Sequence, residues 1–177
     1  KLITTAIEAD PDDPLRAMMK GEGLETLERY DEAIEAYSEA LENQDVSDQQ
    51  RAVACNNLSY LLAQTGTRLE DAEKLIDQAI EILGPLADVL DTRAVIRIAR
   101  KEYDGAIEDM KLALSVDPTA SKYYHLARAQ ALAGNSEEAI DAWEKANEKN
   151  ISKEDLPLLE QPGYEATEAL IKKIKGQ

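Results

Sequence analysis

The sequence ERYDEAIEAYSEA at residues 28–40 returns in altered form as KEYDGAIEDMKLA at residues 101–113. Both stretches place alanine, a bulky side chain and alanine at spacings that fall on one face of a helix. The last alanine of this pattern occurs at Ala6, Ala40, Ala79, Ala113 and Ala146, with intervals of 34, 39, 34 and 33 residues. The chain therefore contains a repeat of helical segments.

Three further kinds of residue recur at similar distances before this alanine. The bulky residue three positions before each alanine is Ile3, Tyr37, Ile76, Met110 or Trp143, and a second alanine lies seven positions before at Ala33, Ala72, Ala106 and Ala139. A small residue precedes that second alanine by 12 or 13 positions, at Gly21, Ser59, Ala94 and Ala127. Small side chains let paired helices approach closely, and bulky ones fill the space between successive pairs. We therefore expect stacked helical hairpins.

The composition agrees with an all-α fold. Of the 177 residues, 44% are hydrophobic but only 5% are aromatic, and phenylalanine is absent. Alanine, leucine, isoleucine, glutamate and lysine are the residues of packed helices rather than of sandwiched sheets.

We call each set of recurring positions a column: the alanine columns, the bulky-residue column and the small-residue column. These columns resemble the tetratricopeptide repeat, a family of 34-residue helix-turn-helix units. Asp10-Pro11 and Asp117-Pro118 occupy places where the family has a proline between repeats, and residues 28–33 and 101–106 resemble its turn within a hairpin. The resemblance implies an α-solenoid of antiparallel helical hairpins that forms a right-handed superhelix. Residues 56–63 and 90–94 also resemble repeats of large bacterial multidomain proteins, some of them linked to kinases.

The repeat phase predicts the organisation of the chain. The predicted ranges are 1–13 for the second helix of a truncated leading repeat, 14–47, 48–86, 87–119 and 120–151 for repeats 1 to 4, and 152–177 for C-terminal capping helices. Because the pattern begins in mid-repeat, we expect the chain to come from a longer protein.

The long interval of 39 residues needs an explanation. Ser47 and Gln50 form a candidate capping box that would start a helix about one turn early. Thr67 and Glu70 form a second candidate box after a slightly longer turn. Both would leave the stacking intact.

The net charge of −16 excludes several classes of partner. A polyanion such as nucleic acid, or an anionic membrane, would be repelled at long range. No apolar run approaches the roughly 20 residues of a membrane span. The single cysteine cannot form an internal disulfide. We expect a cytoplasmic location, with a periplasmic or other extracytoplasmic one left open.

The sequence offers no catalytic constellation. One histidine and one cysteine are too few for a transition-metal site, so we predict no metal, no cofactor and no enzymatic activity. Cys55 occupies a packing column and is interpreted as a structural residue. A Cys55–His125 nucleophile pair would need contact between first helices two hairpins apart.

The family resemblance implies a binding groove lined by the first helix of each hairpin. The residues of this sequence at those positions are Met18, Met19, Glu22, Asn56, Asn57, Tyr60, Asp91, Thr92, Val95, Ile98, Tyr124, His125 and Arg128. Asparagine side chains can pair with an extended peptide backbone, and tyrosine and methionine supply adaptable apolar contact. The alternative is structural: Asn57 braces loops, the methionines fill core, and His125 is an ordinary exposed residue.

The charge of this groove indicates the class of ligand. Chaperone adaptors of the family grip an acidic peptide terminus with lysine, asparagine and arginine, whereas this chain has Met18, Glu22, Asp88 and Thr92 at those positions and only Asn57 fits. With acidic residues near the groove, we predict a protein or peptide partner that is neutral or basic.

Arg93 and Arg97 stand in columns where the family has large apolar residues. Because arginine is seldom buried unpaired, we predict ion pairs with acids of the preceding hairpin, such as Asp77 or Glu81. An anion-binding role is the alternative.

The function predicted from the sequence is a protein-interaction scaffold that binds a partner segment in its groove. The alternative is a regulatory or oligomerisation arm of a larger enzyme whose catalytic part lies upstream. The oligomeric state stays open.

Overall fold

The structure, a computed structural model, describes residues 14–176 of the chain. These residues form nine α-helices and one short 3-10 turn, with no strand among them. The helices are α1 (Pro14–Thr26), α2 (Tyr30–Glu42), α3 (Asp48–Thr65), α4 (Leu69–Leu83), α5 (Ala87–Ala99), α6 (Tyr103–Val116), α7 (Ala120–Ala133), α8 (Ser136–Glu148) and α9 (Gln161–Ile174), with the 3-10 turn at Lys153–Asp155. The prediction of an all-α array of antiparallel hairpins is confirmed. The predicted leading half-repeat at 1–13 lies outside the described residues.

The chain divides into two compact units after Pro85. Unit 1 contains the hairpins α1/α2 and α3/α4, with α2 packed on α3. Unit 2 contains the hairpins α5/α6 and α7/α8, with α6 packed on α7, and ends with α9 against α7 and α8. No helix of residues 14–176 has the length and apolar content that a membrane span requires.

The alanine columns form the core of each hairpin. The eight alanines of these columns in residues 14–176 are fully buried, as are the bulky residues Tyr37, Ile76 and Met110. Close approach is clearest at Gly21, where an added Cβ would lie 2.8 Å from the ring of Tyr37. A side chain at this position of α1 would therefore collide with α2, which confirms the interpretation of the small-residue column.

The two candidate capping boxes have different outcomes. The hydroxyl of Ser47 accepts from the backbone N–H of Gln50, and the Gln50 side chain accepts from the Ser47 N–H, so the box at the start of α3 is confirmed. The box at Thr67 and Glu70 is wrong, because α4 begins after Arg68, which has a left-handed φ of 48° and caps with no side-chain bond. The Thr67 hydroxyl instead pairs with the hydroxyl of Thr65.

An aromatic cluster attaches α9 to the preceding hairpin. Tyr164 of α9 lies 5.5 Å from the ring of Tyr124 in α7 and 5.1 Å from the ring of Trp143 in α8, measured between centroids. Ile171 of α9 is buried in the same cluster. The last helix is therefore part of the core of unit 2.

Candidate functional site

In unit 1 the predicted groove residues lie on α1 and α3. Glu22 is exposed, Met19 and Tyr60 are half-buried, and Met18 is buried against Ala40 of α2 and Ala54 of α3. The structure therefore removes Met18 from any open surface and assigns it to the core, because the small alanines leave space for its side chain.

Asn56 and Asn57 of α3 differ in their hydrogen bonds. Asn57 accepts from the Asn56 amide at 3.4 Å and also bonds the hydroxyl of Tyr37. That hydroxyl in turn donates to the Glu25 carboxylate at 2.5 Å. Asn57 is thus a brace between α3 and the first hairpin, while the side-chain oxygen of Asn56 is buried without a hydrogen-bond partner among the described residues.

The electrostatics of Glu25 and Tyr37 follow from this arrangement. Burial raises the pKa of Glu25, the Tyr37 hydrogen bond lowers it in part, and the charge of Glu22 raises it further. Burial and the nearby carboxylate raise the pKa of Tyr37 well above its usual value. Tyr37 therefore stays a hydrogen-bond donor at every pH at which the protein is handled.

In unit 2 most of the predicted groove residues are covered. Asp91 and Arg128 are half-buried, whereas five others, namely Thr92, Val95, Ile98, Tyr124 and His125, are buried. The prediction that these five face an open groove is corrected: Ile98 packs with α6, and Tyr124 packs with α8 and α9. The alternative that His125 is an ordinary exposed residue is equally wrong.

His125 joins two carboxylates. Its Nδ1 lies 2.6 Å from Oδ1 of Asp91 in α5, and its Nε2 lies 3.2 Å from Oε2 of Glu160, the residue directly before α9. Only 3% of each of the His125 and Glu160 side chains is exposed. Burial raises the pKa of Glu160 to about 7.

Lys122 joins two other acids in unit 2. Its buried ammonium lies 2.7 Å from Asp88 at the start of α5 and 2.7 Å from Asp117 at the end of α6. Burial lowers the pKa of Lys122, but the hydrogen bonds to Asp117 and Asp88 outweigh it, and the net pKa is raised. A single cation thereby connects three helices.

Arg93 and Arg97 share one buried carboxylate. Arg93 holds both oxygens of Asp109, at 2.9 and 2.6 Å, and Arg97 contacts Oδ2 at 2.7 Å. The preference for ion pairs over an anion site is confirmed, and the carboxylate that both arginines share is that of Asp109, on the second helix of their own hairpin. The sequence signal was an acid between Ala106 and Met110 on the apolar face of α6.

The described residues hold few groups for chemistry. No three histidine, cysteine, aspartate or glutamate side chains among residues 14–176 are placed to hold a metal ion. The Cys55 sulfur is buried, 3.6 Å from Oε1 of Gln78, and burial raises the pKa of the thiol. The prediction that Cys55 is structural is confirmed. The accessible surfaces can offer hydrogen bonds, charge and apolar contact.

Comparison with known proteins identifies the repeat. Residues 18–45, which include the first helical hairpin from Met18 onward, match the tetratricopeptide repeat family model. The yeast Saccharomyces cerevisiae has a small glutamine-rich tetratricopeptide repeat-containing protein 2 that is 36% identical over 69 residues. This match covers 38% of the chain and 20% of that relative. The chain is therefore similar to tetratricopeptide-repeat proteins, with one such repeat matched at residues 18–45.

Solved structures share the fold of these repeats. PilW, described as a widely conserved type IV pilus biogenesis factor, is similar with a TM-score of 0.73 at 21% identity, over 99% of this chain and 80% of PilW. A thermophilic tetratricopeptide-repeat protein of Thermus thermophilus has a TM-score of 0.72 at 19% identity, over 94% of this chain and 87% of that protein. MamA of Desulfovibrio magneticus RS-1 has a TM-score of 0.66 at 16% identity, over 78% of this chain and 76% of MamA. At these identities the likeness establishes the fold alone, which is one of repeated helical hairpins.

Proposed function

We propose that this chain is an interaction scaffold that holds an extended segment of a partner protein along the accessible faces of the first helices of unit 1, α1 and α3. In unit 1 that surface consists of Met19, Glu22, Asn56 and Tyr60. Asp91 and Arg128 of unit 2 are half-buried and stay outside this surface, as do the residues that are buried.

The support for this surface is the side-chain oxygen of Asn56, which has no hydrogen-bond partner within the part of the chain that the structure describes. A buried acceptor without a donor costs about 1–3 kcal/mol. The Asn56 side chain is half-buried, and its amide would turn outward on binding so that a backbone N–H of the peptide reaches this oxygen. Val53, one helical turn earlier on α3, is 38% exposed, and Tyr60 lies one turn later. An apolar side chain of the ligand can therefore pack beside the hydrogen bond. Val53 was not among the positions implied by the resemblance.

The charges support a neutral or basic ligand. Glu22 is exposed one turn before Glu25 on α1, whereas Asp88 and Asp91 of unit 2 already contact Lys122 and His125. Unit 1 therefore has the less neutralised acidic surface. A lysine or arginine of the ligand would gain most beside Glu22.

The test is peptide binding by the whole chain. Three sets of synthetic peptides, lysine-rich, uncharged and glutamate-rich, are screened on the immobilised protein, and the strongest binder is measured by calorimetry. We expect the lysine-rich or uncharged set to bind. Asn56→Ala should then weaken binding about tenfold, equivalent to about 1.4 kcal/mol. Asn147→Ala on α8, an exposed asparagine outside the proposed surface, is the matched control.

The charge is tested separately with Glu22→Lys. This variant should weaken the binding of the lysine-rich peptide and leave the binding of an uncharged peptide unchanged. Preference for the glutamate-rich set, or equal loss in Asn56→Ala and Asn147→Ala, would reject the proposed site.

A further inference from the structure

Three side chains from three separate elements of unit 2 form a buried cluster that the peptide-binding proposal does not use. Asp91 comes from α5, His125 from α7, and Glu160 from the residue preceding α9. The imidazole contacts one carboxylate with each of its two nitrogens, at 2.6 and 3.2 Å. The cluster thus connects the start of α9 to α5 and α7, which are the first helices of the two hairpins of unit 2.

The number of protons in this cluster decides whether both contacts are attractive. The Nδ1–H donates to Asp91, so the contact between Nε2 and Glu160 needs one further proton, on either atom. With that proton present, either the imidazole N–H of His125 donates to the Glu160 carboxylate or the carboxyl O–H of Glu160 donates to the imidazole nitrogen. Without it, a nitrogen lone pair faces a carboxylate in a buried site, and the contact is repulsive.

We propose that the Asp91–His125–Glu160 cluster is a pH-sensitive latch, which holds the start of α9 against α7 while the shared proton is present and loosens α9 as the pH rises through neutrality. The reaction is a simple loss of one proton to solvent. Hydroxide or buffer takes the proton, and Glu160 is left ionised beside a neutral imidazole.

Other charged groups face the cluster from each packed element. On the α5 side, Asp88 is held by Lys122. Burial lowers the pKa of Lys122, but the hydrogen bonds to Asp117 and Asp88 raise it. The nearby charge of Asp91 raises the same pKa further. The negative charge of Asp91, 2.6 Å from Nδ1 of His125, favours a proton within the cluster.

On the side of α7 and α9, the opposing charge is Arg128. The Tyr124 ring lies 5.0 Å from the imidazole, and the guanidinium of Arg128 packs over the Gly163 backbone in the first turn of α9. Tyr164 lies against Tyr124, and its pKa is raised first by burial and then by the charges of Glu168 and Glu154.

The direction of the pH dependence follows from Glu160. Burial raises its pKa from 4.5 to about 7 in the folded chain. A carboxyl with a raised folded-state pKa contributes stability that is fully present below its unfolded value and is lost as the pH rises through the folded value. The latch is therefore closed at acidic pH and opens around and above pH 7.

The protein contains its own reporter. Trp143 is the single tryptophan of the chain, it is buried in α8, and its ring contacts Tyr164 of α9. Loosening of α9 should shift the tryptophan emission to longer wavelength. Hydrogen exchange of the α9 amides, corrected for the intrinsic effect of pH, should rise about tenfold over the same range.

The experiment follows both signals in the full chain from about pH 5 to pH 9, where imidazole and a buried carboxyl titrate. The wild type should show a transition near pH 7. Glu160→Gln keeps a hydrogen-bonding side chain without a titrating proton and should remove the transition. Glu165→Gln, on the exposed surface of α9, is the matched control and should keep it.

A second variant keeps the test decisive if Glu160→Gln fails to fold. Asp91→Asn removes the charge that favours a protonated imidazole, so the transition should move to lower pH. A wild type without a transition overturns the latch. So does a transition that survives in Glu160→Gln, or one that stays at the wild-type pH in Asp91→Asn.

Discussion

The two units contain the same helical hairpins but stabilise them differently. Among the described residues, the buried aspartate, glutamate, lysine and histidine side chains are Asp109, Lys122, His125 and Glu160, and all four belong to unit 2. In unit 1 the buried polar residue is Ser59, whose hydroxyl bonds the carbonyl of Asn56 on its own helix. Unit 1 is stabilised by the close packing of apolar side chains, and unit 2 by such packing together with buried ion pairs.

The difference shows where a repeat can tolerate departures from its apolar pattern. A buried ion pair loses hydration, so it is stable only when each charge keeps its partner. Asp109 meets this condition through two arginines, and Lys122 meets it through two aspartates. The core of unit 2 therefore depends on intact ion pairs, whereas the core of unit 1 depends mainly on the fit between side chains.

The largest expected effect is the removal of Asp109. In Asp109→Ala, Arg93 and Arg97 lose their shared carboxylate while three quarters of each side chain remains covered. Breaking a buried pair in this way costs about 3–5 kcal/mol of the free energy of unfolding. Chemical denaturation measures the loss, and hydrogen exchange should locate it in α5 and α6.

Two further variants give this prediction its controls. Asp71→Ala removes a surface partner of Arg68 in unit 1 and should change stability by less than about 1 kcal/mol. Replacing Arg93, Arg97 and Asp109 together by leucine or methionine should restore most of the stability, because an apolar trio needs no desolvation of charge. A loss in the triple variant as large as in Asp109→Ala would show that specific ion-pair geometry matters beyond charge neutrality.

The second prediction compares two glycines. An added Cβ at Gly21 would lie 2.8 Å from the Tyr37 ring, which is fixed in the core, whereas at Gly163 it would lie 2.8 Å from the flexible end of the Arg128 side chain. Gly21→Ala should lower the free energy of unfolding by about 1–2 kcal/mol, since overpacking exceeds the gain in helix propensity. Gly163→Ala should leave it unchanged or slightly raised. Equal losses would contradict the view that unit 1 depends on tight volumes.

The sequence predicts those features of the fold that depend on the spacing of residues within one or two adjacent helices. The alanine columns, the small residue at Gly21 and the capping box at Ser47 all follow from spacing within one or two helices. The failed box at Thr67 shows the limit, because Arg68 adopts a left-handed conformation that spacing alone does not reveal. Helix identity was therefore more predictable than helix starts.

The candidate site was harder to predict because exposure depends on the last helix. The family pattern implied that Tyr124 and His125 face a groove, yet α9 and Glu160 cover them. Glu160 and Tyr164 lie outside the repeat columns, so no periodicity marked them as partners. The sequence indicated that Arg93 and Arg97 need acidic partners, but identifying Asp109 as their shared partner required the packing of α5 on α6.

The third prediction concerns the hydrogen bond between Tyr37 and Glu25 in unit 1. Tyr37→Phe keeps the ring that fills the core but removes the hydroxyl, and should cost about 1 kcal/mol. The hydroxyl favours the ionised carboxylate of Glu25, whose pKa is already raised by burial. The loss should therefore be larger above the pKa of Glu25 than below it. Denaturation at acidic and neutral pH measures this difference, and an equal loss at both would mean that the carboxylate is not the acceptor that matters.

The smallest expected effects are those of exposed ion pairs, and they should be equal in the two units. Lys74 pairs with Asp71 on α4, and Lys145 pairs with Asp141 on α8, with about half or more of each lysine side chain in solvent. Because exposed charges keep most of their hydration, Lys74→Ala and Lys145→Ala should each change the free energy of unfolding by less than about 0.5 kcal/mol. Denaturation at low and high salt provides the measurement. If Lys145→Ala were much the more costly and salt-sensitive of the two, the contrast between the units would extend to their surfaces, whereas two small effects would confine it to the buried charges.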